Sequence, residues 1–598
     1  MPRPVRSSAA IRALGLVSVL IAAKALSIAG RDLPVSAWTL PALFWHDIAI
    51  GTAFWIVDTA LRQPRVLWIP YWLIVVYAAV NVPVARILSS PLTVPMWRAA
   101  RGPLLDSITT YFTPLNFALI AVVVGIGAAA PAAFNRVPVV ARWVFVTLVV
   151  VGWSAGPMAV RRADTTGLHR NAITALVATT FPRLAARPGA EDWRTSPFGG
   201  GLAGDLTGHR GVMAGHNVVI VILESTAAQY LASYGAKDDP TPNLTAFAKQ
   251  SIVFEHAYAV YPESIKGLFT LLCSRWPAFD VPVEAHAEAP CDSLPRLLGG
   301  AGYRSALFHS GRFMYLGMSE LLARQGFQTL EDAGAIGGNV KSSFGVDEPS
   351  VVRRMLSWID GLPAGQRFLL VYTPAAGHHP YASPEPGPFG PADELGLYKN
   401  ALHHGDRSLG VFLDGLRTRG LDKQSIVIVF GDHGEAFGQH DGNYGHSIFI
   451  YEENVRVPLV IGLPPGRIEP EGRTDARAAT AGGVRVGRLA SVIDLAPTIL
   501  DLLGLPAAPL HEGASLLEPH DRMALFYTDY TLGWLGLRDG SWKLIFEVES
   551  RRSRLYDVCT DPSESKDLSA SEPVRIAAYR DRLERWSAAQ RARLMEKR

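Results

Sequence analysis

The chain has 598 residues, of which 19% are charged, and its formal net charge is only +3. This length is too great for one compact domain. The low charged fraction and the positive mean hydropathy of +0.15 indicate a membrane-embedded part, and most of the apolar weight lies before Arg161. A net charge this small gives no reason to expect a nucleic acid as partner.

Apolar stretches near the N-terminus are long enough to cross a bilayer as helices. They predict a bundle of about five transmembrane helices, over residues 11–28, 43–61, 66–87, 115–134 and 140–158. A cleavable signal peptide is the alternative for the first stretch, but further spans follow it and no small-residue cleavage site is evident. Basic residues beside the spans favour a cytoplasmic N-terminus; these are Arg3, Arg6, Arg12, Arg62, Arg65 and Arg136.

An odd number of spans puts the two ends of the chain on opposite sides of the membrane. Everything after Arg162 is therefore expected outside the cytoplasm. We divide the chain into a transmembrane domain (1–162), a linker (163–215), an α/β domain (216–522) and a C-terminal part (523–598). The linker is expected to carry a helix that packs back on the membrane domain.

Strand-like and helix-like stretches alternate in the α/β domain. The runs VVIVIL, FLLVYT, SIVIVF and VPLVIG are apolar throughout, which is typical of buried parallel strands. Their alternation with helical stretches favours a mainly parallel, doubly wound sheet. After Met523, short runs around an Asp-Gly turn indicate a small antiparallel subdomain, and a polar helix closes the chain.

Residues that bind metal ions follow two of these apolar runs. Glu224 comes directly after NVVIVIL, and Asp432 and His433 come directly after SIVIVFG. Ligands of an open α/β sheet bind outside the carboxyl ends of its strands, so these side chains can meet there. Carboxylate and imidazole groups are ordinary ligands of Zn²⁺ and Mn²⁺. The alternatives are a solvated carboxylate at Glu224 and a capping Asp432 beside a surface histidine.

A hydroxyl and a cation lie together in the segment YPESIKGLF. Ser264 stands at a turn before a helix-like run, where a base or a metal would activate its hydroxyl as a nucleophile and the helix N-terminus would favour an anionic ester. Lys266 is expected to be catalytic and to bind substrate, by neutralising phosphoryl oxygens. The alternative for Ser264 is a helix N-cap.

Histidines follow the apolar runs as well. His378 and His379 come after FLLVYTPAAG, and His446 lies in the segment after GDHGE. A histidine in such a place can hold substrate oxygens or protonate a leaving alkoxide. We expect all three to bind substrate, and His378 and His446 to take part in catalysis. For each of them, the alternative is a hydrogen-bonded loop histidine.

The cysteines of the chain are Cys273, Cys291 and Cys559. A domain outside the cytoplasm can form disulfides. Cys273 and Cys291 flank a short loop that contains proline, so we expect them to pair and Cys559 to remain free. Nothing in their spacing matches a zinc finger or a CxxC redox site.

Several segments together resemble a known family, and they follow one another between Asn217 and Leu568. They are TPNLTAFAKQSIVFEHAYA, GDHGE, YEENVRVPLVI, DLAPTILDLLGLP and LYDVCTDPSESKDL. On these segments, the domain is identified as a member of the alkaline phosphatase and sulfatase superfamily. The layout of the membrane part resembles that of lipoteichoic acid synthases and lipid A phosphoethanolamine transferases. This resemblance implies a protein of the bacterial inner membrane, with its catalytic domain on the periplasmic or extracellular side.

The resemblance also assigns roles to the site residues. It implies that one divalent metal ion, Zn²⁺ or Mn²⁺ with Mg²⁺ or Ca²⁺ as alternatives, is held by Glu224, Ser264, Asp432 and His433. Ser264 matches the nucleophilic threonine of the transferases. The histidine of their His-x-Pro motif corresponds to His378, and the histidine after GDHGE corresponds to His446. Lys266 has no clear equivalent in the transferases.

The surroundings of Ser264 favour phosphoryl transfer. A sulfatase converts Cys or Ser into formylglycine in a Cys/Ser-x-Pro/Ala-x-Arg context, which Ile265–Leu268 do not provide. We therefore expect a monomeric, membrane-anchored phosphotransferase. It would move phosphoethanolamine or phosphoglycerol from a membrane phospholipid, through Ser264, to an envelope glycan or lipid acceptor. The alternatives are a membrane-anchored hydrolase of phosphate, phosphonate or sulfate esters, and a non-enzymatic binding or sensor protein on the same fold.

Overall fold

The structure is a computed structural model of the chain. It describes residues 8–33, 35–61, 63, 65–100, 108–134, 139–185, 187, 192–199, 205–338, 345–390, 393–465 and 483–595. Four of the basic residues behind the predicted orientation of the N-terminus lie outside these ranges: Arg3, Arg6, Arg62 and Arg136.

The N-terminal part consists of long apolar helices. In chain order these are α1 (Ser8–Ile28), α2 (Thr39–Leu61), α3 (Trp68–Leu88), the short α4 (Val94–Ala99), α5 (Pro114–Phe134) and α6 (Val139–Arg162). Within the described residues, four of them, α1, α2, α3 and α5, are long and apolar enough to cross a membrane. Helix α6 occupies the position of the last predicted span. The number of five spans and their orientation stay predictions.

The outer surfaces of these helices are apolar. Ile56 on α2 is 58% exposed, Leu73 on α3 is 67% exposed and Leu115 on α5 is 62% exposed. Exposed apolar surface of this extent marks a face that another apolar phase covers. Together with the helix lengths, it fits contact with lipid.

The acidic residues of α2 are paired with cations of α1. Arg12 donates from Nε and Nη2 to the two carboxylate oxygens of Asp58, at 2.8 and 2.7 Å. Lys24 Nζ lies 3.5 Å from Asp47 Oδ2. All four side chains are buried. A paired charge is far less costly in apolar surroundings than a lone one, so these pairs explain how an apolar helix carries two carboxylates.

The linker contacts the membrane helices through a polar cluster. Its helix α7 (Ala172–Ala178) begins after Asn171, whose side-chain oxygen accepts a hydrogen bond from the Ile173 amide at 2.8 Å and whose amide group donates to Asp47 at 2.5 Å. Lys24 Nζ donates to the backbone carbonyls of residues 168–170 at 2.6–3.1 Å. The linker is therefore attached to α1 and α2 by hydrogen bonds as well as by the chain.

The α/β domain contains a nine-stranded sheet in the order β11-β2-β10-β6-β1-β5-β3-β4, with β9 paired to β2. The strands are β1 (Asn217–Leu223), β2 (Ile252–Tyr258), β3 (Arg304–His309), β4 (Thr329–Glu331), β5 (Phe368–Thr373), β6 (Ser425–Gly431), β7 (Ala436–Phe437), β8 (Tyr444–Gly445), β9 (Arg456–Val457), β10 (Leu459–Gly462) and β11 (Val484–Ser491), of which β7 and β8 form a separate pair. The helices are α8 (Pro242–Ala248), α9 (Ser264–Cys273), α10 (Leu294–Gly300), α11 (Met318–Ala323), α12 (Ala333–Ile336), α13 (Glu348–Asp360), α14 (Glu394–Thr418), α15 (Glu452–Val455) and α16 (Leu495–Leu502).

Both faces of the sheet are covered, as a doubly wound sheet requires. Side chains alternate along β1, so Val218 and Ile220 belong to one core and Val219 and Val221 to the other. Helices α9 and α16 contribute to the first core, and α13 and α14 contribute to the second. Burial on both faces explains why the strands are apolar without alternation.

One strand runs opposite to the prediction. The run VPLVIG was expected to be a parallel strand, but β10 pairs antiparallel with both β6 and β2. The chain returns from the end of β6 through the short β7–β8 pair and α15, without a crossover helix, so it re-enters the sheet in the opposite direction. Burial on both faces makes a run apolar whatever its direction, so the sequence pattern could not show the difference.

The C-terminal part is an antiparallel sheet with a helix against it. Strands β12 (Ala524–Thr528), β13 (Trp534–Asp539), β14 (Trp542–Glu547) and β15 (Ser553–Asp557) pair in sequence order. Gly540, in the turn between β13 and β14, has a φ of 55°, which explains the Asp-Gly pair. Helix α17 (Pro573–Met595) packs on this sheet through Tyr579, Leu583 and Trp586.

A disulfide joins the end of α9 to the segment before α10. Cys273 and Cys291 are bonded, with their Cα atoms 5.3 Å apart. Cys559 is free and exposed. The pair is the one proposed from the sequence, and it fixes the C-terminal end of the helix that begins with Ser264.

Candidate active site

Polar residues from several elements converge at one edge of the sheet. Strands β3, β5, β1 and β6 are parallel neighbours, so their carboxyl ends lie together. The side chains that follow these ends line one cavity of about 130 Å³. Its wall includes Glu224 after β1, Asp432 after β6, His309 at the end of β3 and His378 in the loop after β5. Ser264 and His446 lie in the same wall.

The carboxylates and the imidazole predicted to bind metal lie side by side. His433 Nε2 is 3.5 Å from Glu224 Oε1 and 3.6 Å from Asp432 Oδ2. One ligand atom from each of these residues lies within 4.8 Å of the other two. Asp432 is oriented by two backbone amides, since its Oδ1 accepts hydrogen bonds from Ser225 N at 3.1 Å and from His433 N at 2.8 Å. The structure therefore brings Glu224, Asp432 and His433 together.

The hydrogen bonds of His433 set which ring nitrogen faces this cluster. Its Nδ1 lies 3.0 Å from the carbonyl oxygen of Gly434. A carbonyl only accepts, so Nδ1 carries the hydrogen and the lone pair of the neutral ring is on Nε2. Nε2 is the atom directed at Glu224 and Asp432. A backbone carbonyl on the other nitrogen is the arrangement that usually orients a metal-binding histidine.

The electrostatics of the cluster call for a cation. Burial lowers the pKa of His433, but the carboxylates of Asp432 and Glu224 outweigh it and raise that pKa to about 10. Burial and the charge of Glu224 raise the pKa of Asp432 to about 7. Two buried carboxylates thus hold a positive charge on the imidazole between them.

This donor set fits a divalent metal ion. Two carboxylates and an imidazole supply the oxygen and nitrogen ligands that Zn²⁺ and Mn²⁺ accept. The negative charge of the carboxylates around Nε2 would be neutralised by such an ion as well as by a proton. Glu224, Asp432 and His433 would hold the ion, with the Ser264 hydroxyl beside them.

Ser264 is the first residue of α9, and its hydroxyl faces the cluster. Its Oγ donates to Glu224 Oε2 at 2.9 Å and lies 3.3 Å from His433 Nε2. The N-cap of α9 is Glu263, so the Ser264 hydroxyl is not engaged in capping. The hydroxyl stands where the N-terminus of the helix favours negative charge. This geometry suits a nucleophile attacking an anionic ester.

Two histidines present a ring nitrogen to the cavity. His446 Nδ1 lies 2.8 Å from Glu435 Oε2, and His378 Nδ1 lies 2.6 Å from the carbonyl oxygen of His379. Each Nδ1–H is thereby donated, so the lone pair of each neutral ring is on Nε2. Glu435 is itself oriented by the hydroxyl of Tyr381, which donates to Oε1 at 2.9 Å. The His446 and His433 rings are 4.3 Å apart, so both serve the same site.

Two predicted residues lie elsewhere. Lys266 Nζ donates to both carboxylate oxygens of Asp529, at 2.9 and 3.0 Å, and lines a second cavity instead of the first. Residues two apart on a helix do not face the same way, so Ser264 and Lys266 diverge. The His379 ring stacks on Tyr111, with centroids 6.2 Å apart. The roles given to Lys266 and His379 stay predictions, and these contacts do not place either side chain beside Ser264.

Several residues of the site are not among those predicted. His309, Arg312 and Tyr315 line the cavity, and Glu435 orients His446. His309 could have been found, because it ends the apolar run SALFH just as Glu224 ends NVVIVIL. Glu435 is the last residue of GDHGE, but only the folded chain shows that its carboxylate meets His446.

The sequence of the α/β domain is similar to that of known proteins. Residues 216–505 match the model of the Sulfatase family. Lipoteichoic acid synthase 2 of Bacillus subtilis is 24% identical over 333 residues, covering 52% of this chain and 48% of that protein. Arylsulfatase K of Bos taurus is 28% identical over 187 residues, covering 28% of this chain and 32% of that protein. The matches thus span about half the length of the first relative and a third of the second.

The solved structures support the fold. A protein in the alkaline phosphatase superfamily from Vibrio parahaemolyticus superposes with a TM-score of 0.52 at 21% identity, covering 65% of this chain and 90% of that one. Residues 216–505 are therefore similar in sequence to the Sulfatase family, and the protein from Vibrio parahaemolyticus shares their fold. This domain follows a set of apolar helices and carries a site suited to a metal-dependent reaction at an anionic ester.

Proposed function

We propose that this protein is a membrane-anchored, metal-dependent phosphotransferase with Ser264 as its nucleophile. The observation that carries the proposal is the position of the Ser264 hydroxyl. The residues after Ser264 do not direct its conversion to formylglycine. The hydroxyl lies at a helix N-terminus and contacts Glu224 at 2.9 Å within the buried acidic cluster. A hydroxyl held in this way is suited to form a covalent phosphoserine.

The proposed reaction has two steps, which form and then break down the phosphoserine. In the first, the Ser264 oxygen attacks the phosphorus of a phospholipid head group, the Oγ–P bond forms and the bond from phosphorus to the diacylglycerol oxygen breaks. The proton that the Ser264 hydroxyl gives up ends on the diacylglycerol oxygen, so diacylglycerol leaves as an alcohol. In the second, an acceptor hydroxyl attacks the same phosphorus and Ser264 is regenerated. The head group is phosphoglycerol or phosphoethanolamine, and the acceptor is a glycan or lipid of the cell envelope.

The site residues divide the work. Glu224, Asp432 and His433 would hold Zn²⁺ or Mn²⁺, with Mg²⁺ or Ca²⁺ as alternatives, and the ion supplies Lewis-acid charge when it is bound. Of the histidines, His446 has Nδ1–H fixed by Glu435, so its Nε2 can carry a proton to or from a substrate oxygen. His378 has the same arrangement on the carbonyl of His379 and can hold a phosphoryl oxygen when it is protonated.

The membrane part supports a lipid donor. Large apolar side chains cover α2, α3 and α5, and the segment before α5 contacts the loop after β5, where Tyr111 stacks on His379, the residue that follows His378. A site next to the membrane helices can take a substrate from the bilayer without extracting it completely. We propose that the domain works as a monomer on the periplasmic or extracellular side. The similarity to lipoteichoic acid synthase 2 is consistent with this reading.

The second candidate is a membrane-anchored hydrolase of phosphate, phosphonate or sulfate esters. The match to arylsulfatase K favours it, because that protein is named for sulfate esters. A formylglycine sulfatase is disfavoured, because Lys266 and Leu268 stand where the formylglycine context has Pro or Ala and Arg. A hydrolase would use the same nucleophile with water as acceptor.

Mass spectrometry of the intact protein tests the proposal. Full-length protein in lipid nanodiscs containing phosphatidylglycerol or phosphatidylethanolamine should gain the mass of the head-group phosphate, and peptide analysis should locate the adduct on Ser264. The Ser264→Ala variant should gain no adduct and release no diacylglycerol. An aldehyde at position 264 with sulfate release from an aryl sulfate would overturn the proposal. Adduct-free protein that hydrolyses an aryl phosphate would favour the second candidate.

A further inference from the structure

A second cavity adjoins the one that holds the nucleophile. Its volume is about 320 Å³, and it shares Glu263 and Leu316 with the wall of the first cavity. Glu263 directly precedes Ser264, at the N-cap position of α9. A molecule in the second cavity would therefore lie next to any group carried on the Ser264 oxygen.

All four parts of the chain contribute to the wall of this cavity, which includes residues of the α/β domain between Tyr261 and Leu316 and Asp529 and Tyr530 of the C-terminal part. Helix α4 supplies Pro95 and Arg98, the linker supplies residues 179–183, and helix α17 supplies Arg591. Helix α4 is attached to the C-terminal part, since Thr93 Oγ1, in its N-cap, donates to the Tyr530 carbonyl at 2.8 Å. The cavity thus opens beside the segment that joins two apolar helices, where the head group of a membrane lipid would reach it.

Fixed ion pairs form part of the wall. Lys266 is paired with Asp529 at 2.9 Å, and Arg183 with Asp280 at 2.5 Å. Lys266 also lies 4.1 Å from the ring centre of Tyr261. Within each pair the two charges neutralise each other. This part of the cavity therefore offers polar groups and an aromatic ring without excess charge.

The remaining charges of the wall also balance. Glu263 and Glu284 contribute carboxylates, and Arg98 and Arg591 contribute guanidinium groups. The Nη1 atom of Arg591 is buried and has no hydrogen-bond partner among the residues that the structure describes. The cavity as a whole therefore combines donors and acceptors with no net charge. A polyanion would meet four carboxylates there beside four cations and so gain no net attraction, whereas hydroxyl groups can both donate to carboxylates and accept from guanidinium groups.

We propose that the second cavity binds the acceptor of the transfer reaction, as an uncharged polyhydroxylated head group such as a glycosyl or glycerol unit. This inference rests on the function proposed above. An acceptor hydroxyl would pass Glu263 to reach the phosphoserine. Its oxygen forms a bond to phosphorus, the bond from phosphorus to the Ser264 oxygen breaks, and the acceptor proton ends on that oxygen.

The two half-reactions separate this inference from the function on which it depends. Full-length protein in nanodiscs with a labelled phospholipid donor is assayed first for diacylglycerol release and for adduct on Ser264. Glycerol, maltose or a glucosamine disaccharide is then added. The fractions of the label that are transferred to this acceptor and released by water are measured. We expect the wild-type protein to label at least one of these acceptors.

Variants of the second cavity should act on the acceptor alone. Arg98→Ala and Arg591→Ala should each raise the KM for the acceptor by about tenfold or more, as the loss of a charged hydrogen bond does, while adduct formation keeps its rate. Val281→Trp, which fills the cavity without removing a charge, should turn transfer into hydrolysis. The control is Arg585→Ala, on the same helix as Arg591, where the arginine pairs with Asp581 outside the cavity.

Each outcome bears on one of the two ideas. Wild-type protein without adduct would overturn the proposed function and this inference with it. Normal adduct formation with unchanged acceptor KM in both arginine variants, and unchanged partition in Val281→Trp, would overturn the inference alone. If Val281→Trp does not fold, the arginine variants decide. Equal effects of Arg585→Ala and Arg591→Ala would also refute the assignment.

Discussion

Replacing Glu435 by Gln should slow phosphoserine formation while leaving the metal site intact. Glu435 is only 1% exposed, and its carboxylate joins Tyr381 to His446 at 2.9 and 2.8 Å. A glutamine can accept from the His446 Nδ1–H and donate to the tyrosine oxygen, so the shape is kept and only the charge is lost. That charge stabilises the imidazolium formed when His446 takes up a proton.

A positioned acid–base group accelerates a reaction by roughly 10²- to 10⁴-fold, and the loss of the Glu435 charge should remove a fraction of this acceleration. We expect a decrease of about 10- to 100-fold, equivalent to about 1.4–2.7 kcal/mol of transition-state stabilisation. Quenched-flow measurement of adduct on Ser264 gives the rate, and elemental analysis of the purified protein gives its metal content. Metal content should not change.

Two controls make this expectation refutable. Glu453 and His440 form a similar pair, with Oε1 and Nδ1 2.7 Å apart, and neither residue lines the cavity. Glu453→Gln should therefore keep the rate of adduct formation within about twofold of the wild-type rate. In a His446→Gln background, Glu435→Gln should have little further effect, because the two residues act as a unit. A wild-type rate in Glu435→Gln, or fully additive effects, would refute the role given to this pair.

The other predictions concern the metal site, the nucleophile and the pH dependence of stability. Asp432→Asn should lower metal affinity by roughly tenfold or more and activity with it, measured by metal content after dialysis against a chelator; full activity would contradict the ligand assignment. Ser264→Thr should keep part of the activity that Ser264→Ala abolishes, because an alkoxide suffices for the chemistry; an inactive but folded, metal-loaded threonine variant would contradict this. Burial raises the pKa of Asp494 to about 6, so the folded carboxyl keeps its proton at a pH where the unfolded one loses it near pH 4. The free energy of unfolding should therefore fall by about 2 kcal/mol from pH 4 to pH 6, and equal pH slopes for the wild type and Asp494→Asn in chemical denaturation would contradict it.

The parts of the site that follow strands could be predicted from sequence. Glu224, Asp432 and His433 come directly after apolar runs, and parallel strands bring such positions to one edge of the sheet. Ser264 could be placed near them because a helix begins there. The pattern contains this information because strand ends and helix starts are local features.

Side-chain directions and loop contacts could not be predicted in the same way. Lys266 lies two residues after Ser264, about half a helical turn further on, and its ammonium contacts Asp529, 263 residues away in sequence. The contact of Glu435 with His446 depends on the path of the chain through β7 and β8. The direction of β10 depends on the length of the same connection, and the hydrophobicity of the strand carries no information about it.

The second cavity has one wall from α4, which belongs to the membrane part, whereas the residues that line the cavity around Ser264 lie between 222 and 446. A protease that released the α/β domain by cutting within the linker would leave the nucleophile and the metal ligands in place but remove Arg98 and Pro95. We expect the shed domain to accept water more readily than a glycan or lipid. Cleavage would change the reaction instead of ending it, so the amount of soluble fragment in a preparation would affect any measured ratio of transfer to hydrolysis.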